Sequence, residues 1–353
     1  MSRPGTLTGL LYHSPVSRHA WLTLALLVAH GFAPVAPAVS ADLSDRLERF
    51  RDLASRPLTV LPLDASARSA DDERAMYALL DEEIVENVTS GGLFASAGFL
   101  EDRLDGFVEA WGGAAFRVMR VGPLIIVACH LGEGGTDSVR VYGRRAGEVT
   151  LLATLSREGR ASLHALPAGA QDPATFLVAW DGAPSGRGTQ ALRLDLVRQR
   201  GDDVKVVWST TDLFPGGLVA RDWRVREADV TVRYELRYPG WIPGCQGQTE
   251  QEDVYRFVAE RATFVRTGRR LHDGWHAALH QTVGGILSAL GTGDRRGLAA
   301  LVPEARLRDA LPATLALEPA CDAPEPGGPV SVAVVAGARR PWTLTFLRAA
   351  AIG

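Results

Sequence analysis

The chain has 353 residues, of which 46% are hydrophobic and 22% are charged, and its formal net charge is −3 at pH 7. This composition is that of a folded globular protein and excludes an intrinsically disordered chain. The near-neutral charge provides no general attraction to nucleic acid or anionic lipid, so we expect no nucleic-acid partner. A chain this long exceeds one compact core, and we expect two or three modules.

The basic residues are almost all arginine. Lys205 is the one lysine among 38 basic residues, and Asn87 is the one asparagine. This bias, with abundant alanine and glycine, is typical of GC-rich coding and indicates a bacterial source. The arginines alternate with acidic residues along the chain, which indicates a solvated surface rather than a phosphate-binding patch.

Residues 1–41 have the layout of a secretory signal peptide. A short uncharged run, Ala20 to Ala29, follows a basic region, and the segment ends in Ala38-Val39-Ser40-Ala41. The run is shorter than the roughly 20 apolar residues of a membrane span, so a cleaved signal is favoured over an anchor. We therefore predict a periplasmic or secreted protein that starts at Asp42 and has no stable membrane span after processing.

Residues 42–113 show helical periodicity. Apolar residues recur at helical spacing from Leu43 to Leu53, from about Ser69 to Val88 and from Ala97 to Trp111. We predict an N-terminal helical segment whose apolar face packs on the rest of the chain.

Residues 114–268 change to alternating or continuous apolar runs, which predict a β-rich module. The runs form three groups of four, and Leu124, Phe176 and Val230 occupy corresponding places about 50 residues apart. The expected fold is mainly β: an antiparallel β-meander of three four-stranded units. The sequence leaves open whether these units form a partial propeller or a sandwich.

Residues 269–353 are predicted to form a small C-terminal α+β segment. Helical spacing extends from Trp275 to Leu290, and a short helix is expected near Arg295 to Leu301. A loop rich in proline and glycine follows, and then two strands, Val330 to Val335 and Trp342 to Leu347.

The three cysteines predict one disulfide. Cys245 and Cys321 both lie in loops by composition, whereas Cys129 ends an apolar run and is expected to be buried and reduced. We predict that Cys245 and Cys321 are bonded, with Cα atoms less than about 7 Å apart.

Three histidines, His272, His276 and His280, are spaced four residues apart, so one continuous helix would place them on one side. An i, i+4 histidine pair is the core of several zinc sites. The sequence marks no further ligand, and it therefore predicts amphipathic packing with no bound metal and no cofactor.

The long segment from Pro239 to Glu252 is the predicted ligand-binding loop, because long loops on a sheet scaffold commonly carry function. Tyr238 and Trp241 are candidate stacking residues, and Glu250 and Glu252 are candidate polar contacts. No nucleophile motif is present.

These features predict an exported bacterial β-rich binding or interaction module whose partner is an unknown small molecule, glycan or protein. The alternative is an envelope hydrolase that uses the loop carboxylates Glu250 and Glu252, or a metal on His276 and His280. Convergence of these groups in a concave pocket would favour the enzyme, and the sequence leaves that choice open.

We predict that the exported protein is cleaved between Ala41 and Asp42, because residues 39 and 41 are small, as signal peptidase requires. N-terminal sequencing of the mature protein checks this. A mature chain that retains Leu22 to Val28 would indicate a membrane anchor instead.

Overall fold

The structure is a computed structural model, and it describes residues 43–55, 65–132, 136–167, 172–322, 329–337 and 340–347. The predicted signal peptide and its cleavage site lie outside the described residues. No helix of the described part is long and apolar enough to cross a membrane.

The described chain begins with helices, continues with strands and ends with a mixed segment. The N-terminal helices are α1 Leu43–Ala54, α2 Ala65–Ser90 and α3 Ala97–Ala110. The strands that follow are β1 Ala114–Val121, β2 Leu124–Leu131, β3 Thr136–Arg145, β4 Glu148–Glu158, β5 Arg160–Ala165, β6 Thr175–Asp181, β7 Gln190–Arg200, β8 Asp203–Ser209, β9 Leu218–Arg226, β10 Asp229–Glu235, β11 Glu250–Val258 and β12 Thr263–His272. The last elements are α4 Gly274–Thr292, α5 Arg295–Leu301, α6 Ala305–Ala310, β13 Leu315–Leu317, β14 Val330–Ala336 and β15 Arg340–Phe346.

The strands form three antiparallel sheets, which confirms the mainly β class with helices at both ends. The first sheet has the order β1-β2-β3-β4. The second has eight strands in the order β12-β11-β10-β9-β7-β6-β5, with β8 also paired to β7, and the third has the order β13-β14-β15. The first predicted four-stranded unit is therefore a separate sheet, whereas the second and third units join into one.

The continuous apolar run of β2 is explained by burial on both of its faces. Successive side chains of a strand point to opposite sides. Leu124, Ile126 and Ala128 pack against the second sheet. Ile125 and Val127 pack against the N-terminal helices. The first sheet is thus the middle layer between helices and strands, and its packing on the second sheet is that of a sandwich.

Strand β6 has the same two-sided burial. Phe176, Val178 and Trp180 face the first sheet. Leu177 and Ala179 face a second core, which the curled eight-stranded sheet encloses. Because the sheet curls, strand β8 lies near strand β12. No backbone hydrogen-bond ladder joins these two strands in the described residues.

The C-terminal segment has its own small core. Val283 of α4 packs with residues of β13 and β14, among them Leu315, Val332 and Val334. Leu279, Leu287 and Leu290 of α4 pack against the same core, whereas His276 and His280 lie near Tyr238 in the loop between β10 and β11.

We predict that Val178→Ala lowers the free energy of unfolding by about 2 kcal/mol, because it removes two methyl groups from the core between the sheets, where Val178 is 0% exposed. Val265→Ala makes the same chemical change where the side chain is 36% exposed, and its effect should stay within about 0.5 kcal/mol. Chemical denaturation of both variants measures the difference. Equal losses would contradict the two-sided burial of β6.

Candidate functional site

The candidate site is built around residues 236–249, which connect β10 to β11. The sequence predicted that this loop extends to Glu252, but in the structure it ends at residue 249, because β11 begins at Glu250. Glu250 pairs with Glu235 of β10 and with His272 of β12, so Glu250 and Glu252 belong to a strand. The prediction that they are loop carboxylates is therefore wrong, because the ladder captures their backbone on both sides.

The two glutamates have partners within the second sheet. Glu250 is 9% exposed, receives a hydrogen bond from Arg233 Nε at 2.5 Å and is also bonded by Arg221. Glu252 Oε2 lies 3.6 Å from His272 Nε2. Since Arg221 lies on β9, Arg233 on β10 and Glu250 on β11, the carboxylate of Glu250 connects three neighbouring strands.

The two aromatic side chains at the start of the loop lie in different environments. The Tyr238 hydroxyl lies 2.5 Å from His276 Nδ1 and accepts a hydrogen bond from the Thr249 backbone N–H at 3.0 Å. Burial raises the pKa of Tyr238. Trp241 is half-buried, with the Arg237 guanidinium 5.4 Å from its ring centroid. Both side chains are half-buried, but the Tyr238 hydroxyl bonds His276 and Thr249, whereas the contact of Trp241 is with the exposed Arg237.

The loop is closed by its own side chains and by the predicted disulfide. The Gln248 side chain bonds both the backbone N–H and the carbonyl of Ile242, at 2.8 Å and 2.6 Å. Cys245 is bonded to Cys321 with a Cα–Cα distance of 5.3 Å, which confirms the predicted pair. Cys129 is free and buried, as predicted, and burial raises the pKa of its thiol.

The histidines do not share one helical face. His272 ends β12, and α4 begins only at Gly274, so the predicted three-histidine alignment does not form. His276 and His280 do lie one turn apart on α4, and their ring centroids are 4.6 Å apart. Both are buried, and their Nε2 atoms point to the same carboxylate, that of Asp322.

Asp322 is the member of this cluster that the sequence analysis missed. Its Oδ2 lies 2.5 Å from His280 Nε2 and 3.2 Å from His276 Nε2. Burial by itself opposes ionisation, but the hydrogen bonds from His276 and His280 outweigh it and lower the pKa of Asp322 to about 2. One feature of the sequence pointed to Asp322: it directly follows Cys321, and the predicted disulfide brings Cys321 to the loop that contains Cys245.

Gly240 allows the loop to close over this cluster. It has a φ of +88°, and a Cβ added there would lie 1.8 Å from His280 Nδ1, so no larger residue fits. The Nδ1 atom of His280 is buried and has no hydrogen-bond partner among the described residues. The polar contact that orients the His280 ring is therefore the one made through Nε2.

A cleft of about 520 Å³ lies on the other side of the same loop, where it meets the loop between β6 and β7. Its lining residues are Ser185, Gly186, Arg187, Thr189, Glu235, Pro243 and Gly244. The Arg187 guanidinium lies directly against Gly244, where an added Cβ would be 1.9 Å from Cζ. The loop thus forms one wall of the cleft and the cover of the histidine cluster.

We predict that replacing Cys245 and Cys321 together by serine lowers the free energy of unfolding by about 2–5 kcal/mol, because the bond closes a segment with a sequence separation of 76 residues. Chemical denaturation with and without reductant measures the loss. Reductant should destabilise the wild type and leave the double variant unchanged. A wild type that is indifferent to reductant would contradict this prediction.

The chain matches no protein-family model, no curated protein and no solved structure. Function is therefore inferred from the cleft and the buried cluster that the loop between β10 and β11 brings together.

Proposed function

We propose that this protein is an exported binding module that holds a small polyhydroxylated ligand, such as the end of a glycan, in the cleft between the β6–β7 and β10–β11 loops. The cleft carries this proposal. Its volume of about 520 Å³ falls within the range of about 300–1,000 Å³ that is common for small-molecule sites. Four of its seven lining residues, Ser185, Arg187, Thr189 and Glu235, carry polar or charged side chains, which are groups that hydrogen bond to a hydroxylated ligand.

Two opposite charges favour a neutral ligand rich in hydroxyl groups. Arg187 and Glu235 both line the cleft, and neither side chain forms an ion pair or a hydrogen bond with another described residue. A guanidinium donates to two adjacent oxygens, and a carboxylate accepts from O–H groups. Vicinal hydroxyls meet both requirements, whereas an anion would be repelled by Glu235 and a cation by Arg187.

The hydroxyl groups of the cleft add to this complementarity. Ser185 Oγ and Thr189 Oγ1 lie 2.8 Å apart, and the Arg187 and Thr189 backbone N–H groups donate to Ser185 Oγ. These bonds fix the β6–β7 loop, so less conformational entropy is lost when a ligand binds.

Export to the periplasm or the medium is part of the proposal. The layout of residues 1–41 is that of a signal peptide. The Cys245–Cys321 bond supports the same location, because disulfides persist in oxidising compartments.

The contacts of the described residues favour binding over hydrolysis. A glycosidase needs two carboxyl groups on opposite sides of the bond that it cleaves. The cleft lining contains one, that of Glu235, whereas the carboxylate of Glu250 is held by two arginines. His276 and His280 are 2% and 4% exposed, so a substrate does not reach them.

We predict that Arg187→Ala and Glu235→Gln each weaken glycan binding by about tenfold or more, the equivalent of one charge-assisted hydrogen bond of about 1.4 kcal/mol. A bacterial glycan array identifies the ligand, and calorimetry then measures its affinity for the mature protein.

Two matched controls lie away from the cleft. Arg226→Ala and Glu260→Gln remove the same charges at exposed positions, at the end of β9 and between β11 and β12, and should leave the affinity unchanged. Absence of glycan binding, or equal binding by the cleft variants and the controls, would contradict the proposed function.

A further inference from the structure

Two histidines in the first half of α4 face the side chain of Asp322, and the proposed ligand site uses none of these three residues. Two imidazoles and one carboxylate, those of His276, His280 and Asp322, converge so that their ligand atoms all lie within 4.8 Å of one another. All three residues are buried. A convergent buried set of this kind is unusual in a core, because each polar group that leaves water requires a strong partner.

We propose that His276, His280 and Asp322 bind one divalent transition-metal ion of the zinc type. The sequence predicted no metal because it marked no ligand beyond the histidine pair, and Asp322 now provides one. This inference rests on the buried cluster alone and is independent of the proposed glycan site.

The types of ligand decide the class of metal. Neutral imidazole and carboxylate suit zinc and its neighbours, whereas calcium and magnesium prefer sites made of oxygen alone. The two nearby sulfur atoms are unavailable as thiolate ligands, because Cys245 and Cys321 are bonded to each other. The predicted ligand set is therefore two nitrogens and one oxygen, with water or a second carboxylate oxygen completing the tetrahedron.

The two nitrogen–oxygen distances fit after a small adjustment. Tetrahedral bonds of about 2.0–2.1 Å place neighbouring ligand atoms about 3.3 Å apart. The His276 Nε2–Asp322 Oδ2 distance is already 3.2 Å, and the His280 Nε2–Asp322 Oδ2 distance of 2.5 Å must increase by less than an ångström. The metal replaces the hydrogen bonds to Asp322, and any proton carried by an Nε2 atom is released to solvent.

The surroundings hold the ligands in place. The Tyr238 hydroxyl bonds His276 Nδ1, which orients that ring and leaves Nε2 for the metal. The disulfide fixes Cys321 next to Asp322, and Gly240 lies against the His280 ring. A hydrogen bond to the second ring nitrogen, as at His276, is typical of a histidine that ligates a metal.

The burial of the three ligands indicates a structural ion rather than a catalytic one. A catalytic zinc keeps a position open to substrate, whereas here the loop covers the cluster. The ion would connect α4 to the segment around Cys321, and the Tyr238–His276 bond and the disulfide connect both of these to the β10–β11 loop. Metal binding should therefore stabilise the folded protein by mass action.

The test uses mature protein without a histidine tag, stripped of metal with a chelator and checked for native circular dichroism. Zinc binding is measured by calorimetry and by elemental analysis after dialysis, and Co²⁺ absorption reports tetrahedral nitrogen and oxygen ligands. We expect one equivalent of zinc per chain and a higher melting temperature with zinc than without it.

Asp322→Asn and His280→Asn should each weaken zinc binding by about 100-fold or more, because they remove a direct ligand. Tyr238→Phe keeps the packing but removes the bond to His276 Nδ1, and it should weaken binding by about 10-fold or more. This milder change tests the site even if a ligand variant fails to fold.

The matched control is His130→Asn. His130 Nδ1 lies 2.6 Å from Asp137 Oδ1, so this change disrupts a histidine–carboxylate pair without touching the cluster, and zinc binding should be unchanged. Two results would overturn the proposal: a folded, stripped wild type that binds no zinc, or zinc binding that is unaffected by the ligand variants. Failure of glycan binding alone would leave the metal site standing.

Discussion

Two-sided burial of β2 and β6 is the constraint on which the rest of the structure depends. Alternate side chains of each strand enter different cores, so the N-terminal helices, the first sheet and the curled second sheet must stack in that order. Polar contacts then fix the layers. Glu83, which is 0% exposed, receives hydrogen bonds from Arg46 of α1 and Arg103 of α3. The stack provides the rigid support from which the β6–β7 and β10–β11 loops extend.

The β10–β11 loop is shaped by close contacts on both sides. Gly240 lies against His280 on one side, and Gly244 lies against Arg187 on the other. Any side chain at either glycine would push these groups apart. The disulfide and the Gln248 side chain close the same loop from within. These constraints lower the number of conformations that the cleft wall can adopt, which favours binding by a preformed surface.

The proposed glycan site and the proposed metal site share this loop but use different residues. Pro243 and Gly244 line the cleft, whereas Tyr238 contacts His276 of the buried cluster. An ion on the cluster would restrict the segment that forms the cleft wall. The two sites are therefore physically adjacent, although each can exist without the other.

The sequence by itself determined the mainly antiparallel β class, most helices and strands and the Cys245–Cys321 bond, because local periodicity and composition carry these signals. Tertiary structure alone decided that the second and third strand groups join into one sheet, since pairing between distant strands leaves no local pattern. Strand pairing also places Glu250 in β11 rather than in the predicted loop, and it places His272 at the end of β12 rather than in α4. Asp322 contacts His276 and His280 although it lies more than 40 positions from them in the chain, and only the folded chain brings such side chains together.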